Sequence, residues 1–295
     1  MKNLWITTFI VIFSLSLQAQ DDLFDLFADE EPVTEYAYAS FKAGRVVYGQ
    51  SVENPAEGNL IFLIQHDFGS LNLGAYELFG LDQATIRLGL EYGINDWLAL
   101  GVGRSSWQKT YDGFVKAKLL RQSTGAKNMP VSVSYLGALA LNSLRWQFPD
   151  RKNYFSSRLS YVNQLLIARK FSSAFTLQLT PTVIHKNLVP TKADKNTSFA
   201  LGVGGRLKLS QRVSFNAEYF YYPDDQTTLD RTNALSFGFD IETGGHVFQL
   251  HFSNAQAMFD RAYITETAGK WGKGDIFFGF NISRTFVLKK PEGFR

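Results

Sequence analysis

The amino-acid sequence predicts an all-β chain that forms a single transmembrane antiparallel β-barrel of about 12 strands, preceded by a signal peptide and a short irregular segment. Three observations predict this fold class. Apolar and polar residues alternate with a period of two along segments of about ten residues. The connections between these segments are alternately short and long. An export signal stands at the N-terminus, and no later run of about 18 apolar residues predicts a spanning helix.

Composition excludes several other classes of protein. Of the 295 residues, 45% are hydrophobic, 15% are aromatic and 19% are charged, which is not the composition of a disordered chain. The sequence has no cysteine, which excludes a disulfide framework and Cys-ligated metal centres. The formal net charge of +3 gives no reason to expect a nucleic-acid partner. We expect no cofactor and no metal site.

Residues 1–20 have the features of a secretory signal peptide. Lys2 supplies a positive charge, an apolar stretch of about 14 residues follows, and small residues precede an acidic stretch. The apolar stretch is shorter than the roughly 20 residues that a spanning helix needs. We predict cleavage after Ala19 or Gln20. Together with the barrel, this signal predicts the outer membrane of a Gram-negative bacterium.

Residues 21–58 form an acidic and irregular segment before the first strand. Residues 21–31 carry six acidic side chains interspersed with apolar ones, and residues 32–58 contain Pro and Gly residues that interrupt regular structure. The acidic stretch is either a mobile tail or a short amphipathic helix that contacts a periplasmic protein. The whole segment is either a plug or a periplasmic tail.

Residues 59–290 carry the alternating pattern of the barrel, and residues 291–295 form a C-terminal tail. From Ala84 to Tyr92 the even-numbered positions are apolar or aromatic, whereas the odd-numbered positions include Arg87 and Glu91. Membrane strands need about 9–11 residues, whereas globular strands cluster near 5–6. The apolar face is therefore predicted to face outer-membrane lipid and the polar face a lumen.

The lengths of the connections give an independent test. If the chain enters the barrel from the periplasm, the even-numbered connections should be short. Gly93–Asp96, Ser210–Arg212 and Thr243–Gly245 are short, whereas the odd-numbered Pro223–Thr232 and Ala255–Gly274 are longer. The third connection, near Ser105–Asp112, is less long, and the fourth, Gln122–Met129, is not very short. An even number of strands also returns the C-terminus to the periplasm.

Charged and polar side chains on the inward face are the candidate lumen-lining residues. One interpretation is a selectivity lining for a small anionic or zwitterionic solute. The other is a cross-strand ladder of ion pairs that closes the lumen and stiffens the barrel. Twelve strands enclose more space than the filled eight-stranded barrels. The candidates are Arg87, Glu91, Lys116, Lys118, Arg158, Arg206, Lys208, Glu218, Asp240, Glu242 and His251.

Three functional hypotheses follow from these residues. The first is passage or binding of a small solute through the charged lumen. The second is a structural barrel that binds a partner protein through residues 21–31 or the outer loops. The third is an outer-membrane hydrolase, since His251 shares a strand face with Ser253 and Asp240 lies on the preceding strand. A polar lumen explains these residues equally well, so we predict no catalytic residue and a protein that is not an enzyme.

Several longer stretches resemble an uncharacterised outer-membrane β-barrel family of Bacteroidota. The resemblance covers about residues 40–290 and implies an exported barrel, and it brings no activity or catalytic residues to assign. The stretches that carry it are Ser51–Pro55, Ala75–Asp82, Leu119–Gln122, Phe239–Leu250 and Trp271–Asp275.

Overall fold

The structure is a computed structural model that describes residues 33–289. Twelve antiparallel strands form a closed barrel, which confirms the predicted fold class. The predicted signal peptide, the acidic residues 21–31 and the tail 291–295 lie outside the described residues. The strands are β1 (Asn59–Ser70), β2 (Ala84–Gly93), β3 (Leu98–Ser105), β4 (Tyr111–Leu120), β5 (Ser132–Leu141), β6 (Leu159–Lys170), β7 (Phe175–Lys186), β8 (Thr197–Lys208), β9 (Val213–Tyr221), β10 (Ala234–Thr243), β11 (His246–Ser253) and β12 (Phe277–Val287).

Each strand pairs with the next along the chain, and β12 pairs with β1 to close the barrel. The closing ladder runs from Phe277 opposite Ser70 to Val287 opposite Asn59, with one bulge between Phe277 and Gly279. Closure leaves no unpaired edge among the twelve strands, as a lipid environment requires.

The period-two pattern separates the two faces of the wall. Along β2, Ile86, Leu88 and Leu90 are exposed, whereas Arg87 and Glu91 between them are buried. In a closed barrel the exposed apolar side chains face lipid and the buried ones face the lumen. We therefore name the end with the short turns, such as 244–245 between β10 and β11, the periplasmic end.

Short helical elements occur only between the barrel strands within residues 33–289. An α-helix, α1 (Asp260–Thr265), lies in the connection between β11 and β12. No helix in this part of the chain combines the length and the apolar character needed to cross a membrane. The 3₁₀ turns are Leu71–Leu73, Ala75–Gly80, Trp107–Lys109, Phe155–Arg158, Asp224–Gln226 and Trp271–Lys273.

Two pieces of chain fill the lumen from opposite ends. Residues 39–55, which we name the plug segment, precede β1 and therefore come from the periplasmic end. Residues 254–270, which we name the inward loop, connect β11 to β12 at the external end and include α1. Tyr48 of the plug segment and Tyr263 of the inward loop are both buried and stack with 6.0 Å between their ring centroids. The two pieces therefore meet inside the barrel.

A small ladder fixes the chain just before the plug segment. Glu35 and Tyr36 pair antiparallel with Thr124 and Ser123, in the periplasmic connection between β4 and β5. The Ala37 amide also donates to the Gln122 carbonyl over 2.8 Å. The plug segment is thus attached at the periplasmic rim on one side and to β1 on the other.

Candidate functional site

The plug segment enters the lumen, turns and returns to the periplasmic end. The turn is closed by a hydrogen bond from the Val46 amide to the Gly49 carbonyl, over 2.8 Å. Below it, the Ser51 amide donates to the Gly44 carbonyl over 2.9 Å. The irregular sequence before β1 makes few other main-chain bonds with itself, so its remaining buried polar groups need partners on the barrel wall.

Cations of the wall bind the main-chain carbonyls of the plug segment. On β8, the Arg206 guanidinium donates to the carbonyls of Ala39 and Ser40, over 3.0 and 3.2 Å. On β4, Lys116 Nζ donates to the carbonyls of Ser51 and Glu53. A buried cation without partners is costly, and these carbonyls supply acceptors for both side chains.

The tip of the plug segment is bound by a carboxylate. Glu218 on β9 accepts hydrogen bonds from the amides of Val47, Tyr48 and Gly49, with the shortest at 2.8 Å to Tyr48. From β12, three strands further along the wall, Asn281 Nδ2 donates to the Val47 carbonyl over 3.0 Å. Three convergent amides around one carboxylate form a strong, charge-assisted contact.

A cross-strand ladder of ion pairs is one of the two interpretations of the candidate residues, and in the structure their ion pairs are with residues outside that set. Within residues 33–289, no ion pair joins two of the eleven candidate residues. Glu91 instead accepts from Arg45 of the plug segment over 3.2 Å, and Arg87 pairs with Asp112 on β4. The wall charges bind the inserted chain and other wall residues because the plug segment occupies the space between the strands.

The hydrolase hypothesis needs a Ser–His contact that the structure does not make. His251 Nε2 lies 2.9 Å from Asp67 Oδ1, and Ser253 Oγ lies 2.8 Å from Ser236 Oγ. The second oxygen of Asp67 accepts from the Tyr48 hydroxyl over 2.7 Å. Asp67 and His251 therefore hold the plug segment. A Cβ at Gly279 would lie 2.0 Å from Asp67 Oδ1, so glycine leaves the room that this contact needs.

The inward loop is held by apolar packing and by polar contacts, such as those of Glu266 with Lys186 and Gln108. Met258, Tyr263 and Ile264 belong to one buried cluster with Phe220 and Tyr48. Tyr263 stands edge-on to Phe220 with 5.1 Å between the ring centroids. The sequence predicts only a long external loop for this connection. The apolar residues of this connection indicate that it enters the lumen, because a loop that stays on the surface usually exposes its side chains to water.

The candidate residues lie at three heights along the barrel axis: in the middle of the lumen, at the periplasmic end and at the external end. Seven are buried in the lumen: Arg87, Glu91, Lys116, Arg206, Glu218, Asp240 and His251. Three lie at the periplasmic ends of their strands: Lys118 near the end of β4, Lys208 at the end of β8, and Glu242 near the end of β10, which pairs with Lys42 of the plug segment.

Arg158 lies elsewhere, at the external end of the barrel. It closes the 3₁₀ turn before β6, and its guanidinium lies 3.8 Å from the centroid of the Trp146 ring. It also donates to the carbonyls of Asn142 and Leu144. The alternation that placed it on the inward face does not extend into this turn, and its contacts are with the external loop.

A cavity of about 500 Å³ opens at the periplasmic end, between the plug segment and the wall. Lys118, Arg121 and Glu242 line it from the wall, and Lys42 and Glu53 from the plug segment. Within residues 33–289, no group of three or more His, Asp or Glu side chains is placed to hold a metal ion.

A comparison with proteins of curated function finds no match. Among solved structures, the chain is similar to the NanC porin, with 8% identity over 78% of this chain and 100% of that one, at a TM-score of 0.47. It is similar to the KdgM porin, with 10% identity over 77% and 99% and the same TM-score. It is also similar to the COG4313 outer membrane channel from Pseudomonas putida F1, with 12% identity over 79% and 97%, at a TM-score of 0.44.

A family model places the chain more closely than these structures do. The model of a membrane-bound β-barrel domain, DUF5777, matches residues 41–286, which include most of the plug segment and nearly all of the twelve strands. The location that this family supports is a membrane. The chain belongs to the DUF5777 family of membrane-bound β-barrel domains.

Proposed function

We propose that this protein admits a small polar solute into its lumen, and that the plug segment is the gate on the periplasmic side. The observation that carries the proposal is the way the plug segment is held. It is bound to the wall by hydrogen bonds and ion pairs, such as those of Glu218 and Arg206, and it is covalently continuous with the barrel only through β1. Water or solute groups can replace such bonds when the segment withdraws.

The composition of the wall supports the same proposal. A barrel that serves only as a scaffold has no need of a removable filling, because its own large side chains can close the lumen. Here β7 contributes Thr176, Gln178, Thr180 and Thr182 to the inward face, and β8 contributes inward glycines. Withdrawal of the plug segment would leave a polar space. The inward loop is then the gate on the external side.

A disulfide tests whether the plug segment must move. A Cβ added at Gly204 would lie 3.8 Å from Val46 Cβ, which matches the Cβ–Cβ distance of about 3.8 Å in disulfides. The chain has no cysteine, so Val46→Cys/Gly204→Cys introduces the only pair. We expect solute flux into liposomes when the pair is reduced and at least a tenfold lower flux when it is oxidised.

The controls separate locking from side effects. Val46→Cys alone, exposed to the same oxidant, should keep the flux of the reduced double variant. Tyr48→Ala removes the Asp67 hydrogen bond and the Tyr263 stack and should raise single-channel conductance above that of the unaltered protein. Equal flux in the oxidised and reduced pair, or a silent bilayer with every variant, would refute the gate and favour the scaffold hypothesis.

A further inference from the structure

The returning limb of the plug segment is bound through its main chain by one glutamine. Gln178 Nε2 on β7 donates to the Gln50 carbonyl over 2.7 Å, and its Oε1 accepts from the Val52 amide over 2.8 Å. A carboxamide that binds the carbonyl of one residue and the amide of the residue two positions on copies the pairing of a neighbouring β-strand. This contact recognises a peptide main chain.

Two further wall side chains complete this set. Lys116 Nζ donates to the carbonyls of Ser51 and Glu53, and Ser134 Oγ on β5 donates to the Val52 carbonyl over 3.1 Å. Lys116, Ser134 and Gln178 are each at most 2% exposed. Three wall side chains thus contact five main-chain atoms of residues 50–53. All five bonds go to the main chain, and one further contact, from Lys116 Nζ to Gln50 Oε1 over 3.3 Å, goes to a side chain of the plug segment, so most of the recognition does not depend on its sequence.

The same mode continues along the incoming limb. Lys170 Nζ at the end of β6 donates to the Tyr38 carbonyl over 2.6 Å, and Arg206 donates to the next two carbonyls. At the tip, Glu218 binds consecutive amides. Any buried segment must satisfy its polar groups, but most do so within their own secondary structure. Here the partners are preplaced on the rigid wall, and they remain there when the segment leaves.

We propose that the lumen is a binding site for short oligopeptides, and that residues 50–53 occupy the peptide site as an internal substitute. When the plug segment withdraws, Gln178, Lys116 and Ser134 bind the main chain of an oligopeptide in its place. This inference rests on the proposed function in one respect, the mobility of the plug segment. It goes further by naming the class of solute and the residues that recognise it.

The test uses labelled tetra-alanine as the probe and the full-length Tyr48→Ala protein in detergent, in which the plug segment is loosened and the wall is unchanged. We expect saturable binding by fluorescence anisotropy. Gln178→Leu removes two hydrogen bonds and should weaken binding about tenfold or more. The matched control is Gln164→Leu on β6, because Gln164 donates to Thr182 and has the same burial in the same lumen. It should leave the affinity within about twofold.

A second pair of probes tests the chemistry of the ligand. Tetra-alanine with N-methylated amides keeps its carbonyls but has no N–H group that can donate to Gln178 Oε1. It should therefore bind about tenfold more weakly. Maltotetraose, a neutral solute of similar length, should not compete. In the unaltered protein, excess tetra-alanine should speed hydrogen exchange of the Val52 amide, which provides a measurement that does not depend on the Tyr48→Ala fold.

The outcomes distinguish this inference from the gate proposal. Equal binding of the methylated peptide, or no difference between Gln178→Leu and Gln164→Leu, overturns the peptide site even when flux through the barrel depends on the disulfide. Binding retained in the oxidised Val46→Cys/Gly204→Cys protein also overturns it, because the site must lie beneath the plug segment. Peptide binding without any solute flux refutes passage and leaves the binding site standing.

Discussion

The plug segment and the inward loop occupy the same lumen and both make polar and apolar contacts, but in different proportions. The plug segment is bound through its main chain by charged and amide side chains, such as Glu218 and Gln178. The inward loop buries Met258, Tyr263 and Ile264 in an apolar cluster. Polar bonds can be exchanged for water or solute, whereas apolar packing is lost when its surface is exposed to water. This difference makes the plug segment the more readily displaced of the two.

The largest effect that we predict is on the inward loop. Tyr263→Ala removes a buried ring that packs on Phe220 and Tyr48, which should destabilise the docked loop by about 3–5 kcal/mol. Hydrogen exchange of residues 254–270 should rise strongly. Exposed Tyr154→Ala serves as the control and should change neither segment. An equal rise of hydrogen exchange in the plug segment would show that the two pieces open as one unit. It would contradict the difference in stability between the plug segment and the inward loop.

A smaller effect is predicted at the tip of the plug segment. Glu218→Gln replaces one accepting oxygen by a donor, which should weaken the binding of the plug tip to the wall by about 2 kcal/mol. Hydrogen exchange of the Val47–Gly49 amides should then rise about 30-fold. Hydrogen exchange of the inward loop should rise less. Glu77→Gln, in the external 3₁₀ turn Ala75–Gly80, should have no effect on either segment. Unchanged amides at the tip would show that the carboxylate does not hold it.

The ion pair at the periplasmic end should matter less. Lys42 pairs with Glu242, whose side chain is 44% exposed, so the pair is screened by water and salt. Glu242→Gln should therefore weaken the plug segment by less than about 1 kcal/mol. Exchange of residues 40–43 at low salt should rise about two- to fivefold, and high salt should remove the difference from the unaltered protein. A large effect that is independent of salt would contradict this assignment.

The smallest predicted effect concerns external loops that stay outside the lumen. Hydrogen bonds from the Thr228 amide and the hydroxyls of Thr191 and Thr227 hold the pKa of Asp194 well below its usual value. A depressed pKa stabilises the folded loops above about pH 3.9, and this stabilisation is lost as the pH falls further. Pepsin cleavage of residues 222–233, expressed at each pH relative to cleavage of an unfolded substrate, should therefore be slow near pH 4 and faster toward pH 2. Asp194→Asn should remove that pH dependence, and its persistence would refute the role of Asp194.

The barrel could be predicted from the sequence because strands that contact lipid must follow a simple alternation of apolar and polar residues. Each strand must place apolar residues on alternate positions, as Ile86, Leu88 and Leu90 do on β2, and no tertiary information is needed to recognise this pattern. The strand count follows from the same rule. The alternating lengths of the connections also followed from the sequence, with short turns such as 209–212 and long loops such as 222–233.

The contents of the lumen could not be predicted in the same way. Arg87, Glu91, Lys116 and Glu218 lie on the inward face as the alternation predicts, but their partners depend on which segment enters the barrel. Neither a periodic pattern nor a turn signal shows that Glu218 binds consecutive amides of an irregular segment. The inward loop was missed because its apolar residues have no regular period. The position of Arg158 was misjudged because alternation was continued past the end of a strand.

The contact between Asn281 and Val47 has a consequence for biogenesis. Asn281 lies on the last strand, whereas Val47 precedes the first, so 234 positions separate the two partners. The full set of bonds around the tip therefore exists only after β12 has paired with β1. We therefore expect the plug segment to be more accessible to added protease in a barrel that lacks its final strand than in the closed barrel.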